Sequence, residues 1–176
     1  GDNAFNGCKN LSKLQLHNKI TYFGDCALMN CTAITSIALP DGIAYLGYSA
    51  FEGCTELGYV NIPKSITLIE KDTFHNCKSL TSITIPDGVT TIGERAFANT
   101  PIQDHVTIPD GITYLGKEAF FNTKISSVFL PNNMTTLSQG LFQGCKNLNL
   151  VYIPDNFTDI DSYAFDGCES LTTIRF

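Results

Sequence analysis

Leu80-Thr81-Ser82-Ile83-Thr84-Ile85-Pro86-Asp87-Gly88-Val89-Thr90-Thr91-Ile92-Gly93-Glu94-Arg95-Ala96-Phe97 is the stretch that decides the fold. Ile83 and Ile85 alternate with Ser82 and Thr84, the period of a strand with one face buried. Pro86 removes a backbone donor where that strand must stop, and Asp87-Gly88 supplies a turn. A second apolar pair, Val89 and Ile92, leads into Ala96-Phe97. So short a unit cannot close a core of its own.

It does not have to, because it recurs. Phe5, Leu28, Phe51, Phe74, Phe97 and Phe120 follow one another at steps of 23 residues; Phe142 comes after 22 and Phe165 after 23 again. Three residues past each of these positions stands Cys8, Cys31, Cys54, Cys77, Cys145 or Cys168, with Thr100 and Thr123 in two units. Pro40, Pro63, Pro86, Pro109, Pro131 and Pro154 keep the same period. Units that each bury an apolar face only against their neighbours stack into a solenoid. The short step has a local cause. Cys77-Lys78-Ser79-Leu80 shrinks to Thr123-Lys124-Ile125, and Thr100-Pro101-Ile102 carries the same deletion, with an extra residue before Val106 restoring the period.

The pattern Leu80-x-x-Ile83-x-Ile85-Pro86, followed by Val89-x-x-Ile92-Gly93-x-x-Ala96-Phe97, resembles the BspA-like leucine-rich repeats. The resemblance covers essentially the whole chain in about seven and a half units. It implies a right-handed solenoid of the leucine-rich-repeat type, with a parallel β-sheet of short strands on one face. It also implies a surface protein of bacteria or protists that adheres to host matrix proteins or mediates cell contact, placed at the cell surface or outside the cell. On the return side the segments are too short for long helices, and a single helical or 3₁₀ turn is expected around Glu94–Phe97. Residues 1–176 read as one array. The chain starts inside a unit at Ala4-Phe5 and ends inside a strand at Ile174-Arg175-Phe176. Because solenoid ends need polar caps, this predicts a piece of a longer array or, alternatively, end-to-end self-association.

Composition narrows the function. The chain has 176 residues and a net charge of −6, with only 16% charged residues. A nucleic-acid binder needs a basic stripe, so nucleic acid is not an expected partner. No apolar run approaches the roughly 18 residues of a membrane span. The seven cysteines follow the repeat rather than a metal-site spacing. Cross-rung Cβ atoms near 5 Å are too far apart for a bridge, so the column is expected to hold buried free thiols. Cys26, two residues before the Phe column, is expected to be the most accessible thiol. His17, His75 and His105 occupy unrelated columns. With no nucleophile motif, phosphate loop or carboxylate pair, neither enzyme chemistry nor a cofactor nor a metal is expected. Asn30, Asn133 and Asn156 open sequons that only a eukaryotic secretory host would use.

The outward positions of the strand face are free to vary. They carry Phe129, Leu150 and Tyr152 next to Arg175, with Tyr59 and His105 also expected around that centre. The plainer account of them is a cross-strand aromatic ladder that stabilises the sheet; the alternative is a binding patch, since aromatic and Arg side chains make good interface anchors. The function expected is a non-enzymatic protein-binding or adhesive module; the alternative is a spacer in a long surface protein. Charges three and two residues before the Phe column alternate from rung to rung (Lys71, Glu94, Lys117; Asp72, Arg95, Glu118), which predicts cross-rung ion pairs.

Overall fold

The structure, a computed structural model, describes residues 1–176, with the side chains of residues 104 and 105 outside the described set. The chain winds as a parallel solenoid of about seven turns whose coils stack in three ladders, the first of them interrupted. The first is the strand face. Ser36–Ile37 pairs with Tyr59–Val60, and farther along Gln103–His105, Lys124–Phe129, Leu150–Tyr152 and Thr173–Arg175 form a four-stranded parallel sheet. The second is built from the shorter apolar pairs: Tyr22–Phe23 with Tyr45–Leu46, then Leu68–Ile69, Thr91–Ile92 and Tyr114–Leu115, then Thr136–Leu137 with Asp159–Ile160.

The third ladder replaces the expected helical turns. Among the described residues there is no α or 3₁₀ helix, and the return side is a stack of hydrogen-bonded turns. Two residues in each coil explain this. The positions two before and two after the Phe column hold the left-handed conformation: Asp72 and Asn76, Arg95 and Asn99, Glu118 and Asn122 all have φ between 51° and 61°. A left-handed residue every fourth position interrupts the i→i−4 ladder of a helix. Alternate N–H groups turn instead along the solenoid axis. Asp72 N donates to Glu94 O (2.9 Å), Phe74 N to Ala96 O (2.8 Å) and Asn76 N to Ala98 O (3.0 Å). The groups between them close three-residue turns, as His75 N does on Asp72 O (3.0 Å). Every backbone donor of this segment thus finds a carbonyl either in its own turn or in the next coil.

The Phe column is the core. Phe51, Phe74, Phe97, Phe120 and Phe142 are fully buried. Successive rings from Phe51 to Phe165 stack at centroid distances of 5.4–5.8 Å. Leu28 is the non-aromatic rung, and the structure shows how its coil compensates. Phe23 stands where the other coils carry Leu46, Ile69, Ile92 or Leu115, and its ring stacks on Phe51 at 5.2 Å. Phe and the aliphatic residue have exchanged places within one coil, which conserves core volume.

The thiols behave as expected with one correction. Cys31, Cys54, Cys77 and Cys145 are buried, and all seven cysteines are free. The column thiols from Cys31 to Cys168 lie over the carbonyl of the preceding coil's Phe position, as Cys54 Sγ does on Leu28 O (3.1 Å) and Cys77 Sγ on Phe51 O (3.2 Å). Thr100 and Thr123 bond the carbonyls of Phe97 and Phe120 in their own coils. The most accessible thiol is Cys8, which is exposed, while Cys26 is only half-exposed. Cys26 is covered by its neighbours, among them Tyr48.

The quoted stretch itself departs from expectation. Ser82–Ile85 joins neither strand ladder, and Ile83 is half-buried. The side chain of Asn61 clamps Leu39, accepting its N–H at 2.7 Å and donating to its carbonyl at 2.8 Å. On the other side, the next coil carries the deletion and the added residue. Its strand meets this stretch through Gln103 N on Thr81 O and pairs instead with the following strand Lys124–Phe129, where the register shifts between Asp104 and His105.

A candidate binding face and a lysine-walled notch

The long strand Lys124–Phe129 organises the strand face. Its inward residues Ile125 and Val128 are buried, as are Val151 and Ile153 in the next coil and Leu130 at the strand end. With the core filled by these, Phe129 and Tyr152 point outward at 48% and 41% exposure. Ladder pairing places Phe129, Tyr152 and Arg175 in one column of consecutive rungs, with Leu150 beside them on the strand of Tyr152. The rings of Phe129 and Tyr152 lie 6.4 Å apart with planes 29° from parallel, an offset stack rather than an edge-to-edge contact. Four of the six expected residues are therefore brought together. Tyr59 is exposed but sits four rungs from Leu150, about 19 Å at 4.8 Å per rung. The side chain of His105 lies outside the described residues.

Tyr59 edges a cavity of about 280 Å³ lined by Asn61, Ser82, Ile83 and Pro86, where the sheet is interrupted. A second cavity, of about 290 Å³, opens between the Phe column and the strand face. It is lined by Lys78, Asn99, Thr100, Pro101, Asn122, Thr123, Lys124, Gly144, Lys146 and Asn147.

Sequence reasoning passed over the second ladder's own aromatics. Tyr22 and Tyr45 stack at 5.0 Å, and their hydroxyls donate to Asp2 and Asp25 Oδ1, both at 2.8 Å. Burial and the Asp25 bond push the Tyr45 phenol up. The repetition of Tyr six residues before the Phe column was the available signal. Because both hydroxyls are already held by the preceding coil, this pair reads as a rung-to-rung staple.

The charge ladder forms over one of its two steps. Lys71 Nζ reaches Glu94 Oε1 at 3.6 Å, and Arg95 grips Asp72 with two bonds of 2.8 and 2.9 Å. At the next step Lys117 turns to Glu118 in its own coil (3.7 Å). Asp72 is buried and Arg95 partly so. The imidazole of His75 is flanked by Glu52 (3.4 Å) and Asp72 (3.7 Å). Among the described residues no group of three or more His, Cys, Asp or Glu is arranged to hold a metal ion. Nor is any helix long and apolar enough to cross a membrane. Asn30, Asn133 and Asn156 are all exposed.

A parallel solenoid with a buried Phe column, a Cys or Thr rung and a Pro-terminated strand defines a leucine-rich-repeat protein. The sequence matches the family described as BspA type Leucine rich repeat region, in 6 copies, over residues 1–116 and 68–176. The chain belongs to that family. It is similar to the crystal structure of a leucine-rich repeat protein from Bacteroides ovatus, at 35% identity and a TM-score of 0.82 over 89% of this chain. The leucine-rich repeat protein of T. pallidum is similar at 28% identity and a TM-score of 0.78 over 87%. One from Eubacterium ventriosum gives 26% and 0.60 over 80%. This chain spans 41% of the Bacteroides ovatus protein, 72% of the T. pallidum protein and 37% of the Eubacterium ventriosum protein. No curated protein matches it.

Proposed function

We propose that this array is a non-enzymatic protein-binding module of a cell-surface or secreted protein, with an adhesive role. Its contact centres on Phe129, Leu150 and Tyr152, with Arg175 beside them and Tyr59 and His105 farther along the face. One observation carries the reading: Phe129 and Tyr152 are large, half-exposed rings stacked on each other over strands whose inward residues already complete the core. Rings exposed in that way add little to folding and much to an interface, where aromatic anchors dominate the binding energy. Membership of the BspA type supports a partner that is itself a protein, such as a component of a host matrix. Residues 1–176 serve as one continuous array in this reading.

The test is the F129S/Y152S double variant in a binding assay against a panel of extracellular-matrix proteins. Melting should be nearly unchanged, since surface substitutions lie within about 0.5 kcal/mol each. Affinity should fall by about 2 kcal/mol or more. Unchanged affinity with an intact melting curve would leave the array a spacer, with binding done elsewhere in the surface protein.

A further inference from the structure

The cavity lined by Lys78, Lys124 and Lys146 has a cause that the repeat exposes. In most coils the turn from the Cys position to the next apolar residue takes four residues, as in Cys77-Lys78-Ser79-Leu80 and Cys145-Lys146-Asn147-Leu148. In the two coils between these it takes three: Thr100-Pro101-Ile102 and Thr123-Lys124-Ile125. Two adjacent shortened turns form a floor, and the full-length turns on either side stand above it as walls. The result is the notch of about 290 Å³.

Its chemistry is one-sided. Three of the chain's 11 basic residues line it, all exposed, and among the described residues no carboxylate does, although the whole chain carries −6. Thr100 and Thr123 turn their hydroxyls inward onto the Phe97 and Phe120 carbonyls. Asn122 Nδ2 is spent on Asn99 Oδ1 at 2.9 Å. Recognition therefore falls to the ammonium groups. Lys78 Nζ rests on the Asn99 carbonyl at 3.4 Å. Lys146 pairs with Glu169 at 2.8 Å, but both side chains are 65% exposed, and exposed pairs of that kind exchange at little cost.

We propose that this notch binds a small anionic ligand: one carboxylate, sulfate or phosphate carried on a polar body about the size of a sugar ring. The volume lies at the small end of the range for ligand sites, about 300–1,000 Å³. The acidic remainder of the chain repels an extended polyanion, which leaves a compact monoanion or dianion as the fitting class. The site is separate from the strand-face contact and does not depend on it.

Titrating the whole chain with glucuronate, glucose 6-sulfate, glucose 6-phosphate and neutral glucose, followed by amide and lysine NMR shifts, tests the assignment. At low ionic strength the charged sugars should bind and shift signals at Lys78, Asn122, Lys124 and Lys146. Glucose should not bind, and added salt should weaken the charged sugars because the contacts are exposed. Whichever charged sugar binds tightest identifies the anionic group. Lys124→Gln should weaken binding about fivefold, while Lys64→Gln, on another turn, should leave it unchanged, and both variants should melt as the parent does. Equal binding of glucose, no binding of any charged sugar, or equal affinities in the two variants would overturn the proposal.

Discussion

The exchange of Phe23 and Leu28 can be transplanted. Phe97 lies in mid-array, fully buried, with Phe74 and Phe120 stacked on its two faces at 5.4 Å each. Replacing it with Ala removes a ring from a closed stack and should cost about 3–5 kcal/mol. Phe97→Leu keeps most of the aliphatic volume but loses two ring contacts, worth about 0.5–1.5 kcal/mol each beyond area. A total near 2–3 kcal/mol follows. Adding Ile92→Phe recreates the arrangement of the second coil, where the ring arrives from five residues earlier. Phe23 reaches forward to Phe51 at 5.2 Å, and among the described residues no stack joins it to Phe5. The transplanted ring should therefore recover the contact to Phe120 and not the one to Phe74. That regains about 1 kcal/mol of the loss together with the missing volume. Urea unfolding followed by circular dichroism measures these three variants and Ile92→Phe alone, with stability read from the midpoint at constant slope. If I92F/F97L falls as far as the two single changes added together, the Phe23–Leu28 pair is two independent substitutions and the compensation argument is wrong.

Two further outcomes follow from the same ladders. Burial pushes the Cys54 and Cys168 thiols up from the ordinary 9.0 to about 12, and Cys77 and Cys145 in the same direction. The folded state thus keeps protons that the unfolded chain releases, so stability is complete below pH 9 and falls as pH rises from about 9 toward 12; midpoints measured across that window should drop, and Cys54→Ala should flatten the fall. For the Asp72–Arg95 pair, Asp72→Asn and Arg95→Gln should each cost about 1–2 kcal/mol, since one partner of a charge-assisted pair is left behind. The double variant should cost clearly less than their sum in a double-mutant cycle by urea unfolding, and strict additivity would mean that the two bonds contribute nothing to stability.

The axial architecture was legible because the core columns repeat in type as well as spacing. Phe51 through Phe142 and Cys31 through Cys77 need no structure to be recognised as one rung each. The return side was harder, although half of its signal stood in the sequence. Gly7, Asn30, Gly53, Asn76, Asn99, Asn122, Gly144 and Gly167, two past the Phe column, are residues at home with positive φ. At the matching positions two before it, Asn3, Asp72 and Gly140 carry the same hint but Cys26, Ser49, Arg95, Glu118 and Tyr163 do not, and the interrupted turn passed for helix. Ser82–Ile85 has the best alternation in the chain and no ladder, because pairing depends on the coils either side and not on its own pattern. At the strand face, period two separated Phe129 and Tyr152 from Val128 and Val151, so outward direction could be read from sequence. The repeat count likewise puts Phe129 and Tyr152 on adjacent rungs, as the ladder shows, and Tyr59 four rungs from Leu150; the tilt of the two rings could not be read, since it depends on side-chain packing.

In a solenoid whose coils share one set of columns, a departure from the repeat is informative according to whether the molecule repairs it. Phe23 with Leu28 is repaired within its own coil, and the stack runs on through Phe51. Thr100 and Thr123 in place of Cys are repaired too, because each hydroxyl takes a carbonyl within its own turn. Such changes are about folding. The shortened turns at Thr100–Ile102 and Thr123–Ile125 are repaired only for the core, where Ile102 and Ile125 stay buried. At the surface they leave a notch, and they draw Lys124 into the head of the six-residue strand that ends at Phe129. An unrepaired surface departure adds nothing to stability, so stability gives no reason for it to persist. Two aromatic rings standing half in water at Phe129 and Tyr152 likewise lie outside what the core needs, since the inward residues of their strands already fill it. The notch at Lys124 and the ring of Phe129 fall on one strand, about 16 Å apart by strand rise, with Tyr152 on the next rung, and that strand is where contact with something outside the chain is best sought.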